Sequence, residues 1–118
     1  MMAKKVLIID DEPHIRQLLN YELSERGFDV FECEDTHSVM HTIDLINPHA
    51  IILDIKLEDD VSGLDILQQI RDKDGHIPII LHTSYQEYNT DERANSATFY
   101  IVKSFDLSKV AETLEKLF

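Results

Sequence analysis

The sequence predicts an open α/β fold: a parallel sheet with helices packed on both faces. Three observations carry that expectation. The runs Val6-Leu7-Ile8-Ile9, Ala50-Ile51-Ile52-Leu53 and Pro78-Ile79-Ile80-Leu81 are apolar throughout rather than alternating, as strands buried on both faces require. Segments of helical period separate them, so strand and helix patterns alternate along the chain. Each strand run also ends in a polar group: Asp10-Asp11, Asp54, Thr83 and, after Tyr100-Ile101-Val102, Lys103.

Lys5 to Ile9 reads as the first buried strand. Glu12 to Arg26 reads as a helix, with Ile15, Leu18, Leu19, Glu22 and Leu23 at helical spacing, Pro13 in its first turn and Gly27 at its end. Phe28 to Cys33 is a short strand alternating apolar and polar, with Phe28, Val30 and Glu32 on one face. Thr36 to Ile46 is a second helix, stopped by Asn47-Pro48. Ala50 to Leu53 is the next strand, Gly63 to Arg71 a third helix, Ile77 to Leu81 a strand and Phe99 to Val102 another. Asp106 caps a last helix from Leu107 to Leu117. Between Ser84 and Ala97 the alternation calls for a further helix. Gln86 to Ser96 is almost wholly polar, with only Tyr88 and Ala94 to offer a core, so the segment is expected to be short or irregular.

At 118 residues and 43% apolar, the chain is expected to form one domain, residues 1–118, with a real core. No apolar run approaches the roughly 18 residues of a membrane helix. No signal peptide is visible, since Met1-Met2-Ala3-Lys4-Lys5 leads straight into a strand that ends in acids. Cys33 has no second cysteine to pair with, and a cytoplasmic setting fits. The net charge of −12 argues against direct binding to nucleic acid or to an anionic membrane and favours cations and basic partner surfaces.

Asp54 is the most informative residue. If the strands are parallel neighbours, Asp10, Asp11, Asp54, Thr83 and Lys103 converge at one edge of the sheet, where open α/β folds place their sites. Taken singly, a strand-end aspartate is ordinarily a turn or cap residue, Thr83 a strand-end cap, Lys103 a solvated cation and Tyr100 a core residue. Together, acids, a hydroxyl and an ammonium suit a divalent cation and a phosphoryl group. Two carboxylates about 5 Å apart repel by roughly 3 kcal/mol at an effective dielectric near 20, so three of them are poised to take a cation. A carboxylate is also a competent nucleophile toward phosphorus.

The segments Val6-Leu7-Ile8-Ile9-Asp10-Asp11-Glu12-Pro13, Ile51-Ile52-Leu53-Asp54-Ile55-Lys56-Leu57, Pro78-Ile79-Ile80-Leu81-His82-Thr83-Ser84-Tyr85 and Tyr100-Ile101-Val102-Lys103 occur in order, each at a strand end. In this they resemble the receiver domain of two-component response regulators over essentially the whole chain. The resemblance implies a flavodoxin-like five-stranded parallel sheet of order 2-1-3-4-5, helices on both faces, and a fourth helix that is short or irregular here. It implies a phosphoryl group accepted by Asp54 from a histidine kinase or phosphotransferase. Asp10, Asp11, Asp54 and the Lys56 backbone carbonyl would surround Mg²⁺, while Thr83 and Lys103 would hold phosphoryl oxygens. Thr83 and Tyr100 would form the switch, and Lys56 and Tyr85 would tune the phosphate's lifetime. The first helix and neighbouring loops would dock the kinase, and output would pass to a downstream protein or an effector domain.

The chain also departs from the family's pattern. Glu58 stands where proline is usual, in a loop about one residue longer than the commonest form. Ser84 replaces a small apolar residue. Ser104 follows Lys103 where the family usually has proline in a cis peptide; for Lys103-Ser104 that form would cost about 3 kcal/mol, which favours trans. Thr83 to Lys103 is about two residues short. Two other functions compete. A phosphate-independent, receiver-like scaffold accommodates the altered Lys103 turn. An aspartate-nucleophile phosphatase of the haloacid dehalogenase type is opposed by Lys56, which stands where that family places its second aspartate. Among the histidines, His37 and His41 sit four apart on a helix without a third ligand, an ordinary solvated pair. His82 alternates with Thr83 and should point away from the acids.

Overall fold

The structure is a computed structural model describing residues 3–33, 35–85 and 90–118. Five strands form one parallel sheet: β1 (Lys5–Ile9), β2 (Asp29–Cys33), β3 (Ala50–Leu53), β4 (Ile79–Thr83) and β5 (Phe99–Val102), in the order β2-β1-β3-β4-β5. Four α-helices are seen among the described residues: α1 (Pro13–Glu25), α2 (Val39–Ile46), α3 (Gly63–Lys73) and α4 (Ser108–Leu117). This is the predicted topology.

The sheet splits the core in two, as the uninterrupted apolar strands require. Leu7, Ile9, Ile51, Leu53, Ile79 and Leu81 face α2 and α3, meeting Val39, Leu64, Leu67 and Ile70. Val6, Ile8, Ala50, Ile52, Ile80 and Ile101 face α1 and α4, meeting Leu19, Leu23, Val110, Ala111 and Leu114. Neighbours along one strand therefore enter opposite cores, and Val6–Ile9 of β1 and all of β3 are buried.

Element boundaries moved where local chemistry outweighed periodicity. β4 begins at Ile79, not at Ile77, because Asp74 captures the Ile77 N–H at 3.0 Å and Pro78 has no N–H to offer a ladder. It then runs on to Thr83 because that residue pairs with Val102 of β5. The second helix opens with a 3-10 turn, Thr36–Ser38, under an Asp35 side chain that accepts the His37 N–H at 2.9 Å. Asn47 closes α2 in the left-handed conformation at φ 56°. α4 starts at Ser108 rather than Leu107, and the Asp106 carboxylate accepts the Ser108 N–H at 2.9 Å.

The polar stretch before β5 contains a 3-10 segment, Glu92–Ser96, capped by Asp91. Ala94 gives it the core contact anticipated from sequence; Tyr88 lies outside the described residues. Two arginines tie the segment to α3: Arg71 donates to the Ser96 carbonyl at 2.8 Å, and Arg93 reaches Asp65 at 3.2 Å.

The loop after β3 contains a turn, Glu58–Asp60, with Asp59 and Asp60 both at positive φ (56° and 57°). The Leu57 N–H to Val61 carbonyl bond at 3.1 Å and a Lys56–Ser62 bridge close it. Gly63 follows, its N–H on the Ile55 carbonyl at 2.6 Å, and any β-carbon there would collide with the Asp54 carbonyl. Gly63→Ala is therefore expected to destabilise the protein by about 1–3 kcal/mol or more, read as a lowered urea midpoint. An unchanged midpoint would mean that this approach is not rigid.

Candidate functional site

Strand register assembles the site. Ile9 pairs with Leu53 and Leu53 with Leu81, so β1, β3 and β4 end side by side, and Thr83 pairs with Val102. The next residues, Asp10, Asp54 and Lys103, leave the sheet at the same edge. Backbone bonds fix the exits: Asp54 N–H to the Ile9 carbonyl at 2.9 Å, and Lys103 N–H to the Thr83 carbonyl at 2.7 Å. The edge is also where the chain reverses its direction across the sheet, β1 having β2 on one side and β3 on the other.

Lys103 is the hub. Its Nζ lies 2.9 Å from Asp10 Oδ2, 2.9 Å from Asp54 Oδ2 and 2.8 Å from Glu12 Oε1. The described peptide bonds contain no cis form, so Lys103-Ser104 is trans and the ammonium still reaches its target. Asp10 and Asp54 are 2% and 4% exposed. Burial raises both carboxyls above their ordinary range, although Lys103 pulls each the other way. Burial also works against the Lys103 charge, but bonds to Glu12, Asp54 and Asp10 outweigh it and raise its pKa. The bond from Lys103 holds Glu12 below its usual value.

Carboxylate oxygens of Asp10, Asp11, Glu12 and Asp54 lie within 4.8 Å of one another. One lysine does not balance four such groups, and each unscreened pair costs about 3 kcal/mol at an effective dielectric near 20. The donor set is all oxygen, which suits a small hard cation. Asp54 Oδ1 accepts its neighbour Ile55 N–H at 2.7 Å, which leaves Oδ2 as the oxygen turned to Lys103. The buried Thr83 hydroxyl accepts the Tyr85 N–H at 3.4 Å, and its nearness to Asp54 favours the ionised carboxylate.

The remaining predicted residues, Lys56, Tyr85 and Tyr100, contact one another. Lys56 Nζ sits 4.1 Å from the centre of the Tyr85 ring. The Tyr100 hydroxyl donates to the Tyr85 carbonyl, so Tyr100 and Lys56 both converge on the residue two beyond Thr83. Glu12, by its sequence only the start of a helix, joins the site through Lys103, and its place directly after two acids is the available signal. The His82 imidazole is 1% exposed, and its Nδ1 has no hydrogen-bond partner among the described residues. Burial lowers its pKa to about 4, and Lys103 adds to the effect.

A family model described as the response regulator receiver domain matches residues 6–115. The chain belongs to that family. The receiver is 36% identical to the response regulator TrrA of Thermotoga maritima, solved in complex with Mg²⁺-BeF, with a TM-score of 0.91 over 98% of this chain and 99% of that one. It matches equally well in sequence, with a TM-score of 0.88, TrrA solved in complex with the histidine kinase ThkA. Sporulation initiation phosphotransferase F of Bacillus subtilis is 27% identical over 98% of this receiver and 94% of its own length. Regulatory protein AtoC of Escherichia coli is 29% identical over 90% of this receiver, which spans only 23% of AtoC.

His82 makes stability depend on pH. With its folded pKa near 4 and the ordinary value 6.5, the unfolded chain takes up the proton first as pH falls. The His82 contribution is intact above pH 6.5 and is lost progressively down to about pH 4, by about 3 kcal/mol in all. Raised carboxyls at Asp10 and Asp54 act in the opposite sense, so the difference between the natural chain and His82→Leu isolates the histidine. Denaturant titrations between those limits are expected to give a shallower acid slope for the variant; equal slopes would refute the assignment.

Proposed function

We propose that this receiver accepts a phosphoryl group on Asp54 from a phosphohistidine of a histidine kinase or phosphotransferase, with Mg²⁺, in a two-component or phosphorelay system. The observation that carries the reading is the Lys103 ammonium held at 2.8–2.9 Å by Asp10, Glu12 and Asp54. Asp10, Asp11 and Asp54, with the Lys56 carbonyl, would hold the ion; its chemistry there is to offset acid charge and polarise the phosphoryl oxygens.

The chain's own groups do the rest. Asp54 Oδ2 is the nucleophile, because Oδ1 is engaged by the Ile55 N–H. It forms the new bond to phosphorus as the phosphorus–nitrogen bond of the donor breaks, the electron pair staying on the imidazole. Lys103, already at 2.9 Å, shifts from the carboxylate to the incoming oxygens, and Thr83 donates to another. Thr83 then follows the phosphoryl group, and Tyr100, tied to the Tyr85 carbonyl, occupies the space on that side. Output passes by contact with a downstream protein or an effector domain, in the cytoplasm; no helix among the described residues is long and apolar enough to cross a membrane. The receiver is a switch without turnover of small phosphate esters.

Incubation with acetyl phosphate and Mg²⁺, followed by intact mass measurement, tests the reading. One added phosphoryl group is expected, lost in Asp54→Ala; its absence from folded natural protein would favour the phosphate-independent scaffold. Lys56 and Tyr85 lengthen the phosphate's life by closing over the acceptor. Their cation–π contact is worth about 0.5–1 kcal/mol at an exposed position, about a two- to fivefold factor in rate. Replacing both with small residues is expected to speed phosphate loss by at least that factor, measured by radiolabel decay. An unchanged half-life would remove them from this role.

A further inference from the structure

Two carboxylates of the cation site, Asp10 and Asp11, are adjacent in sequence and share one peptide unit. That unit is planar, so whatever holds its carbonyl fixes ψ of Asp10 and φ of Asp11 together. The group that holds it is Arg16, whose Nη1 donates to the Asp10 carbonyl at 2.7 Å. Arg16 lies one turn into α1, and its side chain is only 11% exposed.

The guanidinium is itself held. Its Nε donates to Glu32 of β2 at 3.0 Å, and the other Glu32 oxygen accepts from Asn20 Nδ2 at 3.0 Å. Glu32 therefore aims the fork and neutralises it, so that the arginine steadies the loop without opposing an incoming cation. On the other side of the loop, Asp10 Oδ1 accepts the Glu12 N–H at 2.9 Å. The β1–α1 loop is thus gripped twice, once at the Asp10 carboxylate and once at the peptide linking both acids.

We propose that Arg16, oriented by Glu32, is a positioning residue for the divalent cation: it presets the Asp10–Asp11 peptide so that both carboxylates face the ion. The inference rests on the Mg²⁺ site proposed above. Groups that orient metal ligands typically change metal affinity by 10–100-fold when removed.

The test is calorimetric titration of the full chain with MgCl₂ alone, needing no phosphoryl donor, alongside phosphorylation by acetyl phosphate across a Mg²⁺ series. Arg16→Gln is expected to weaken Mg²⁺ binding about tenfold or more while leaving the rate at saturating Mg²⁺ within about twofold of the natural chain. Arg16→Lys, which can still donate to the carbonyl, should recover part of the affinity. Glu32→Gln keeps the arginine but loosens its aim, and should weaken Mg²⁺ binding by a smaller factor; should Arg16→Gln not fold, this variant decides. Unchanged Mg²⁺ affinity in Glu32→Gln and in folded Arg16→Gln would overturn the proposal. So would a fallen maximal rate at unchanged affinity, which would place Arg16 in transfer or docking. Failure of the natural chain to bind Mg²⁺ would overturn the site itself, a result distinct from either.

Discussion

One ammonium group stands among more negative charge than it can balance. Lys103 holds Asp10, Glu12 and Asp54 together, while Asp11 completes an all-oxygen cluster around them. The sheet forces this crowding, because parallel strands in register must end together and their next residues must meet. Apolar packing on both faces supplies the energy to hold the strands there, and burial then makes each buried carboxylate costly as an anion. The site is thus kept in electrostatic deficit by the fold, and the deficit is what a divalent cation and a phosphoryl group would relieve.

Much of this was legible in the sequence because it depends on period and on strand ends. β1 from Val6 onward and all of β3 are apolar, which burial on both faces explains, and the polar residue after each one marks the sheet's edge. The start of β4 was misread because Ile77 looks like strand, and only the three-dimensional position of Asp74 shows where its N–H goes. Glu12, Arg16 and His82 escaped for a related reason. Each looks ordinary within its own element: a helix start, a helix surface position and an alternating strand residue. The partners of Glu12 and Arg16, Lys103 and Glu32, are distant in sequence, and only the fold brings them near, while the His82 Nδ1 has none among the described residues. Conversely, Ser104 looked like a threat to the aim of Lys103, yet the trans linkage delivers the ammonium because the Lys103 N–H is anchored to β4 at the Thr83 carbonyl.

Lys56, Tyr85 and Tyr100 form a connected chain rather than separate devices. Lys56 rests on the Tyr85 ring, and the Tyr85 carbonyl takes the Tyr100 hydroxyl. Lys56, two residues beyond Asp54, is thereby joined to the edge strand β5 through Tyr85. Anything that displaces Tyr85 must disturb both contacts.

The two arginine ties between α3 and the 3-10 segment before β5 determine where such a disturbance can travel. The exposed Arg93–Asp65 ion pair contributes little, about 0–1 kcal/mol, and Arg71 adds one bond to the Ser96 carbonyl, whereas the strands on either side are locked into the core. The stretch leading into β5 is therefore the compliant part of the framework, a strap fastened by weak clips. A strap so fastened can shift against α3 at small cost, while β5 itself stays held by its pairing with β4.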